Sequence, residues 1–130
     1  MMQHAILVET HANVDLLAKV IRKMTADNHY FFIHVDRKAK NYQDFLTLAS
    51  HHVCFTDKRY NVRWGSVDQI YATLELISKA RSIGIDFDYY HLISGQDYPV
   101  HTSRYFDDFF SNSTCSYMEL DSKSPIGPRY

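Results

Sequence analysis

The sequence predicts an α/β domain with a mostly parallel sheet, and two features of its hydrophobic pattern carry that prediction. Short apolar runs of strand length alternate along the chain with longer segments in which apolar residues recur at helical spacing. The apolar runs are continuous rather than alternating, which is typical of strands covered on both faces of a parallel sheet. The resulting order is β, α, β, α, β, α, β, and 130 residues fit one domain of ordinary size.

The first three elements form a predicted βαβ unit. Ala5–Val8 is a buried strand, and Asn13 is the predicted N-cap of the helix that follows. Tyr30–Val35 is the second buried strand, so the connection between the two strands should be right-handed. The stripe of this helix that is expected to face the core consists of Leu17, Val20, Ile21 and Met24.

The helix with the clearest start begins at Ser66. Ser66 and Gln69 have the spacing of a capping box, and Gly84 is well placed to end the helix after about Ser82. The stripe predicted to face the core consists of Val67, Ile70, Tyr71, Leu74 and Ile77. The other predicted elements are a short helix around Tyr42 to Ala49, a small strand near Val53–Phe55, a strand at Tyr89–Ile93, a short helix from about Ser103 to Phe110 and a last strand at Ser116–Leu120.

Composition and charge exclude several classes of function. With 14 basic and 15 acidic residues, a net charge of −1 and no Lys/Arg-rich run, the chain has no electrostatic footprint for nucleic acid. Two cysteines are too few for a disulfide framework, and the eight histidines show no spacing of a catalytic metal site, so no metal is expected. No run reaches transmembrane length, and the first apolar run is too short for a signal peptide.

Polar residues that directly follow the strands are the candidate site residues, because ligands bind outside the carboxyl ends of open parallel sheets. Asp36 ends the second strand, where its carboxylate can accept a hydrogen bond from a ribose hydroxyl or can cap a turn. Trp64 can stack on a base or sugar face, or anchor the next helix to the core. The candidates are Glu9, Thr10, His11, Asp36, Trp64, Gly65, Ser66, Gln96, Asp97, Glu119 and Asp121.

Two features that suggest chemistry do not meet this positional rule. Asp86-Phe87-Asp88 has the Asp-x-Asp pattern by which many nucleotide-sugar enzymes hold a divalent metal, but it precedes a strand and should lie at the opposite edge of the sheet. His34 lies inside the second strand and is predicted to be a hydrogen-bonded core histidine rather than a ligand. The chain also has no Gly-rich phosphate loop, which disfavours Rossmann dehydrogenases and P-loop enzymes.

Four segments, in this order, carry a resemblance to a known family: His4–Val8 with His11, Phe32–Lys38, Val62–Ser66 and Leu92–Val100. They resemble the core-2/I-branching β-1,6-N-acetylglucosaminyltransferases of glycosyltransferase family 14, which include the peptide O-xylosyltransferases. The resemblance runs from about residue 4 to residue 110. It implies a GT-A-like, Rossmann-like fold and inverting, metal-independent transfer of N-acetylglucosamine or xylose from a UDP-sugar to a glycan or protein acceptor.

The resemblance also implies roles for the candidate residues. Thr10, His11, Asp36 and the Trp64-Gly65-Ser66 turn would line the uridine and ribose pocket. Gln96 and Asp97 would lie beside the donor sugar, and Glu119 would contact the acceptor sugar. No cofactor is implied, since the UDP-sugar is a substrate and basic side chains would neutralise the departing diphosphate in place of a metal.

The family's general base and diphosphate-binding residues are expected beyond residue 130. The whole chain is therefore expected to be a truncated, N-terminal donor-binding half of a glycosyltransferase domain, with little or no activity alone. Eukaryotic family members are Golgi membrane proteins. This chain has no anchor, so a cytoplasmic or membrane-peripheral place is expected unless it is a fragment of such a member.

Two alternatives stay open at the level of sequence. One is a module that binds a nucleotide or sugar without catalysis. The other is a receiver-type signalling domain, which has this size and this alternation of elements. A receiver needs an acidic pair after the first strand, a phosphoacceptor Asp after the third and a late Lys. The chain offers Glu9-Thr10, Gln96-Asp97 and no suitable late Lys.

Overall fold

The computed structural model describes residues 1–118 and contains a four-stranded sheet in which every pair of neighbouring strands is parallel. The predicted α/β class with a parallel sheet is confirmed. The elements are β1 (His4–Thr10), α1 (Val14–Met24), β2 (His29–Val35), α2 (Tyr42–Leu46), β3 (Val53–Phe55), α3 (Val67–Ser82), β4 (Tyr89–Ser94) and α4 (Ser103–Ser111).

The strand order is β3-β2-β1-β4. This is the order of the first four strands of a Rossmann-like sheet, in which the first strand lies between the second and the fourth. In a receiver domain the second strand lies at the edge of the sheet, whereas here β2 pairs with both β1 and β3, so the receiver alternative is wrong. The strand order reverses at β1, because β2 and β3 are added on one side of it and β4 on the other. The carboxyl ends of β1 and β4 therefore flank the expected ligand crevice.

The core has two layers, one on each face of the sheet. Ile6 and Val8 of β1 face α1 and α2, whereas Ala5 and Leu7 face α3. The first layer adds Leu17, Met24, Phe31, Ile33, Val35, Phe45 and Val53, and the second adds Phe32, Leu76, Ala80 and Phe87. Both faces of the central strands are thus covered by helices, which explains their continuous apolar runs.

Helix α1 forms as the sequence predicts. Asn13 adopts a left-handed conformation with φ of 63°, and its Oδ1 accepts a hydrogen bond from the backbone N–H of Leu16 at 3.1 Å. This bond satisfies one of the free N–H groups of the first helical turn. Leu17, Val20 and Met24 of the predicted stripe are buried against the sheet.

Helix α3 forms at the predicted place but buries a different face. Ser66 is its N-cap residue, yet the Ser66 side chain makes no capping hydrogen bond, so the capping-box prediction is wrong. Most of the predicted stripe is exposed; Leu74, for example, is 55% exposed. The buried residues are Ala72, Leu76 and Ala80. The small side chains of the two alanines let the helix approach β1 and β2 closely.

Two more predictions concern the end of α3 and the last strand. Gly84 has a φ of 78°, which a glycine adopts without strain, and it follows the end of α3 as predicted. Residues 116–118 are not in a strand, and the rest of the predicted last strand lies outside the described residues. Over residues 1–118, no helix has both the length and the apolar character needed to cross a membrane.

Candidate functional site

A cavity of about 520 Å³, lined mainly by residues with polar side chains, opens at the carboxyl ends of β1, β2 and β4. It lies at the crevice that the strand order predicts. Five of the candidate residues, Glu9, Thr10, His11, Asp36 and Trp64, line it. Its other polar lining residues are His34, Lys38, Gln69 and Ser94.

Asp36 is the most constrained of these side chains. It is only 5% exposed, and its Oδ1 and Oδ2 accept hydrogen bonds from the backbone N–H groups of Lys38 at 2.8 Å and Val62 at 3.2 Å. The Lys38 ammonium lies 3.8 Å from Oδ2. Asp36 therefore caps its turn and also lines the cavity. Each carboxylate oxygen has a second lone pair, so a ligand hydroxyl or imide can still donate to it.

The segment that precedes Trp64 is fastened to the end of β2. Arg59 donates from Nε to the carbonyl oxygen of Val35 at 3.0 Å and from Nη2 to that of Asp36 at 2.9 Å. The backbone N–H of Tyr60 donates to Nε2 of His34 at 2.9 Å. These bonds hold the loop that carries Val62 and Trp64 over the cavity.

His34 behaves as the predicted core histidine. Its Nε2 accepts a hydrogen bond, so the ring is neutral in this arrangement, and burial lowers the pKa of His34 below its ordinary value. The ring is buried and stacks beside Tyr60 with a centroid separation of 6.1 Å. It forms part of the cavity floor, but its polar edge is used to position the loop.

Glu9 is a half-buried carboxyl on the cavity wall. Its Oε1 accepts a hydrogen bond from the Thr73 hydroxyl at 2.6 Å, which joins the end of β1 to α3. Burial raises the pKa of Glu9, and the hydrogen bond from Thr73 offsets part of that rise. Two carboxyl groups, Glu9 and Asp36, therefore face one cavity, and Lys38 also lines it.

Gly95 sets the width of the crevice between β1 and β4. Its backbone N–H donates to the carbonyl oxygen of Glu9 at 2.8 Å, and a Cβ placed on Gly95 would overlap the Thr10 side chain. Only a residue without a side chain lets the end of β4 pass this close to the end of β1.

The turn after Gly95 directs two candidate residues away from the cavity. Asp97 accepts a hydrogen bond at Oδ2 from the backbone N–H of Ser94 at 2.7 Å, and the backbone N–H of Gln96 donates to the Ser94 hydroxyl at 3.1 Å. Asp97 borders an apolar groove beside Tyr98 instead. The structure thus does not bring Gln96 and Asp97 together with Asp36.

The remaining candidates are partly accounted for. Gly65 and Ser66 adjoin Trp64 at the start of α3 but do not line the cavity, and Glu119 and Asp121 lie outside the described residues. Trp64 itself is 78% exposed at the cavity wall, so it does not anchor α3 in the core. An exposed indole and a buried carboxylate can together hold a flat ring that carries hydroxyl or imide donors.

The positional rule overlooked several cavity residues. Lys38 lies two residues beyond Asp36, and its backbone N–H and ammonium both face that carboxylate. A carboxylate followed by a basic pair is the signal that could have indicated this turn. Ser94 and Gln69 carry no comparable signal, because the arrangement of β4 and α3 around β1 brings them to the cavity.

Fold and site together define a Rossmann-like domain with a cavity at the switch point of its sheet. The family model described as Core-2/I-branching enzyme matches residues 5–130, and the chain belongs to that family. This confirms the resemblance seen in the sequence, and the parallel sheet fits the GT-A-like fold which that resemblance implies.

A curated relative adds a second comparison. Xylosyltransferase 2 of Mus musculus is 27% identical over 101 residues, which is 75% of this chain and 12% of the mouse protein. The chain thus spans about an eighth of the length of this relative.

Proposed function

We propose that the chain forms the donor-binding part of a glycosyltransferase that takes N-acetylglucosamine or xylose from a UDP-sugar. The family match and the likeness to a xylosyltransferase support the class of reaction. The observation that carries the proposal is the cavity at the switch point with Asp36 in its wall. The acceptor is a glycan or a protein hydroxyl.

The nucleoside of the donor occupies this cavity. The lone pairs that Asp36 keeps free accept hydrogen bonds from the ribose or uracil, and Trp64 stacks on a ring face. Thr10 and His11 border the same space at the end of β1. An acidic cavity with one lysine suits the neutral nucleoside better than it suits the diphosphate, which needs cations.

The donor sugar extends past Ser94. We assign Gln96 and Asp97 to the neighbourhood of the sugar on the basis of the family resemblance, although both lie beyond the cavity wall in this structure. Transfer is a direct displacement, in which the acceptor oxygen forms a bond to the anomeric carbon as the bond to the UDP oxygen breaks. The acceptor proton passes to a general base, and no described residue is assigned that role.

The transfer is proposed to proceed without a divalent metal. Asp86 and Asp88, which have the Asp-x-Asp pattern, precede β4 and so lie at the amino-terminal edge of the sheet. There Asp88 accepts a hydrogen bond from the backbone N–H of Gln3 at 2.7 Å. A metal held by this pair would lie far from the cavity.

Calorimetric titration of UDP into the chain tests the proposal. In EDTA we expect saturable binding of one UDP, weakened about tenfold by Asp36→Asn because an amide cannot replace both acceptor oxygens. Asp86→Asn is the matched control, since this carboxylate is exposed at the opposite edge. Binding that requires Mg²⁺, or binding that a folded Asp36→Asn variant retains in full, would overturn it.

A further inference from the structure

A second group of polar side chains lies at the amino-terminal edge of the sheet. His4 of β1 and His29 of β2 are register partners, and both are fully buried. His91 of β4 and Asp107 of α4 belong to the same group, which we call the histidine cluster, and Asn28 donates from Nδ2 to Oδ1 of Asp107 at 3.1 Å. The Phe106 ring of α4 packs edge-on against His4 and His29.

Three atoms of the histidine cluster converge. Oδ1 of Asp107 lies 2.6 Å from Nε2 of His29 and 3.6 Å from Nε2 of His4, and all three atoms lie within 4.8 Å of one another. The ligand atoms of a tetrahedral zinc ion stand about 3.3 Å apart, between the two distances that Asp107 makes.

The other ring nitrogens are already positioned by second partners. Nδ1 of His29 lies 2.7 Å from the carbonyl oxygen of Met24, which can only accept, so this nitrogen carries the proton. Nδ1 of His4 lies 3.0 Å from Nε2 of His91. Metal-binding histidines are held in this way, with one nitrogen bonded to a carbonyl or another acceptor and the other directed at the ion.

His4 supplies the deciding observation. Its Nε2 is buried and has no hydrogen-bond partner among the described residues, although it is directed toward Asp107 and His29. A pair formed by protonated His29 and Asp107 accounts for the 2.6 Å contact, but it leaves this nitrogen unsatisfied, which is costly in a buried position. A bound cation satisfies it.

We propose that His4, His29 and Asp107 bind one divalent cation of the zinc type, with water as its fourth ligand. Two imidazoles and one carboxylate are a ligand set that zinc accepts. The Asp107 side chain is 28% exposed, which gives the ion and its water a path from solvent.

The ion has a structural role. It joins β1 and β2 to α4, a helix that has no fully buried residue of its own. His4 and Thr10 stand at opposite ends of the seven-residue strand β1, so the ion lies about 20 Å from the proposed donor cavity. The proposal is therefore independent of whether the sugar transfer needs a metal.

Zinc titration of the chelator-treated chain, followed by calorimetry and by thermal unfolding, tests this site. We expect one zinc per chain, a rise in Tm, and a visible absorption band of tetrahedral character when Co²⁺ replaces Zn²⁺. Asp107→Asn and His4→Gln should each weaken zinc binding at least about tenfold. Asp108→Asn, the next carboxylate along the same helix and exposed, should leave the affinity unchanged.

Two results would overturn the proposal. One is the absence of saturable zinc binding by the wild-type chain. The other is zinc binding that Asp107→Asn retains in full, which would locate the ion at exposed histidines such as His51 and His101. If His4→Gln does not fold, Asp107→Asn still decides the question, because Asp107 is partly exposed and its helix lies at the edge of the core.

Discussion

The two edges of the sheet carry similar polar side chains but use them differently. At the carboxyl-terminal edge, Asp36 and Glu9 border a cavity, and Asp36 keeps lone pairs that the protein does not use. At the amino-terminal edge, His4, His29 and Asp107 face one another beneath α4. The strand order leaves the first edge open and a helix closes the second. The two edges therefore differ in the space that the backbone leaves around similar side chains.

The largest expected effect concerns the stability of the open edge. Asp36→Ala removes the acceptor of two backbone N–H groups at a buried position and should lower the free energy of unfolding by about 3 kcal/mol. Asp57→Ala is the control, because Asp57 is exposed and makes only a 3.6 Å surface ion pair with Lys79, which contributes less than about 1 kcal/mol. Urea unfolding measures both, and equal losses would contradict the role assigned to Asp36.

The crevice itself can be altered at Gly95. Gly95→Ala places a Cβ against Thr10 and should cost about 2 kcal/mol, the typical effect of overpacking. In a Thr10→Gly background the same change should cost clearly less, because the obstructing side chain is gone. Thermal unfolding of the four chains gives the coupling, and strictly additive effects would mean that the close approach does not limit this position.

Substitution of an aromatic residue at each place should show whether UDP binds in the cavity or in the apolar groove. Trp64→Ala should weaken UDP binding about tenfold through the loss of ring stacking. Tyr105→Ala, which removes an exposed ring from the apolar groove, should not change the affinity. Calorimetry compares the two, and a larger effect for Tyr105→Ala would move the nucleoside to that groove.

The smallest expected effect is the pH dependence that Glu9 gives to the free energy of unfolding. Because burial raises its pKa in the folded chain, its contribution to stability is fully present below the pKa of an unfolded glutamate, about 4.3, and is lost as the pH rises through the folded pKa. Glu9→Gln cannot ionise and keeps an acceptor for Thr73. It should be more stable than wild type at pH 8 by a few tenths of a kcal/mol, since solvent in the cavity screens the charge.

Urea titrations of the Glu9→Gln and wild-type chains at pH 4 and pH 8 check this sign. The difference between the two chains should be much smaller at pH 4, where the Glu9 side chain is mostly neutral. A wild-type chain that is the more stable of the two at pH 8 would show that the ionised Glu9 is well accommodated.

The two long helices show what hydrophobic periodicity predicts and what it does not. In α1 the apolar stripe is the only apolar face, so the sequence identifies both the helix and its buried side. In α3 large apolar residues such as Leu74 lie on the exposed side, and the sheet is met by Ala72 and Ala80. Hydrophobic periodicity is dominated by large apolar side chains, whereas close packing of α3 against β1 and β2 requires small ones.

The site was predictable only where it follows strand ends. Asp36 was found because it directly follows β2. His34 and Lys38 acquire their cavity positions from a loop that returns from residues 59–62, and this tertiary contact leaves no local pattern. Asp97 follows β4, but its carboxylate closes its own turn. The histidine cluster joins residues from separate elements, so no metal-ligand spacing could indicate it.

The central claim is that the donor nucleotide binds at the open edge and leaves the closed edge unaffected. Amide chemical shifts of the ¹⁵N-labelled chain, recorded while UDP is added in EDTA, test it residue by residue. We predict saturable shifts at Thr10, His11, Lys38 and Val62, with His29 and Asp107 unmoved. Shifts confined to the amino-terminal edge or to the apolar groove, or no shifts at all, would contradict the account.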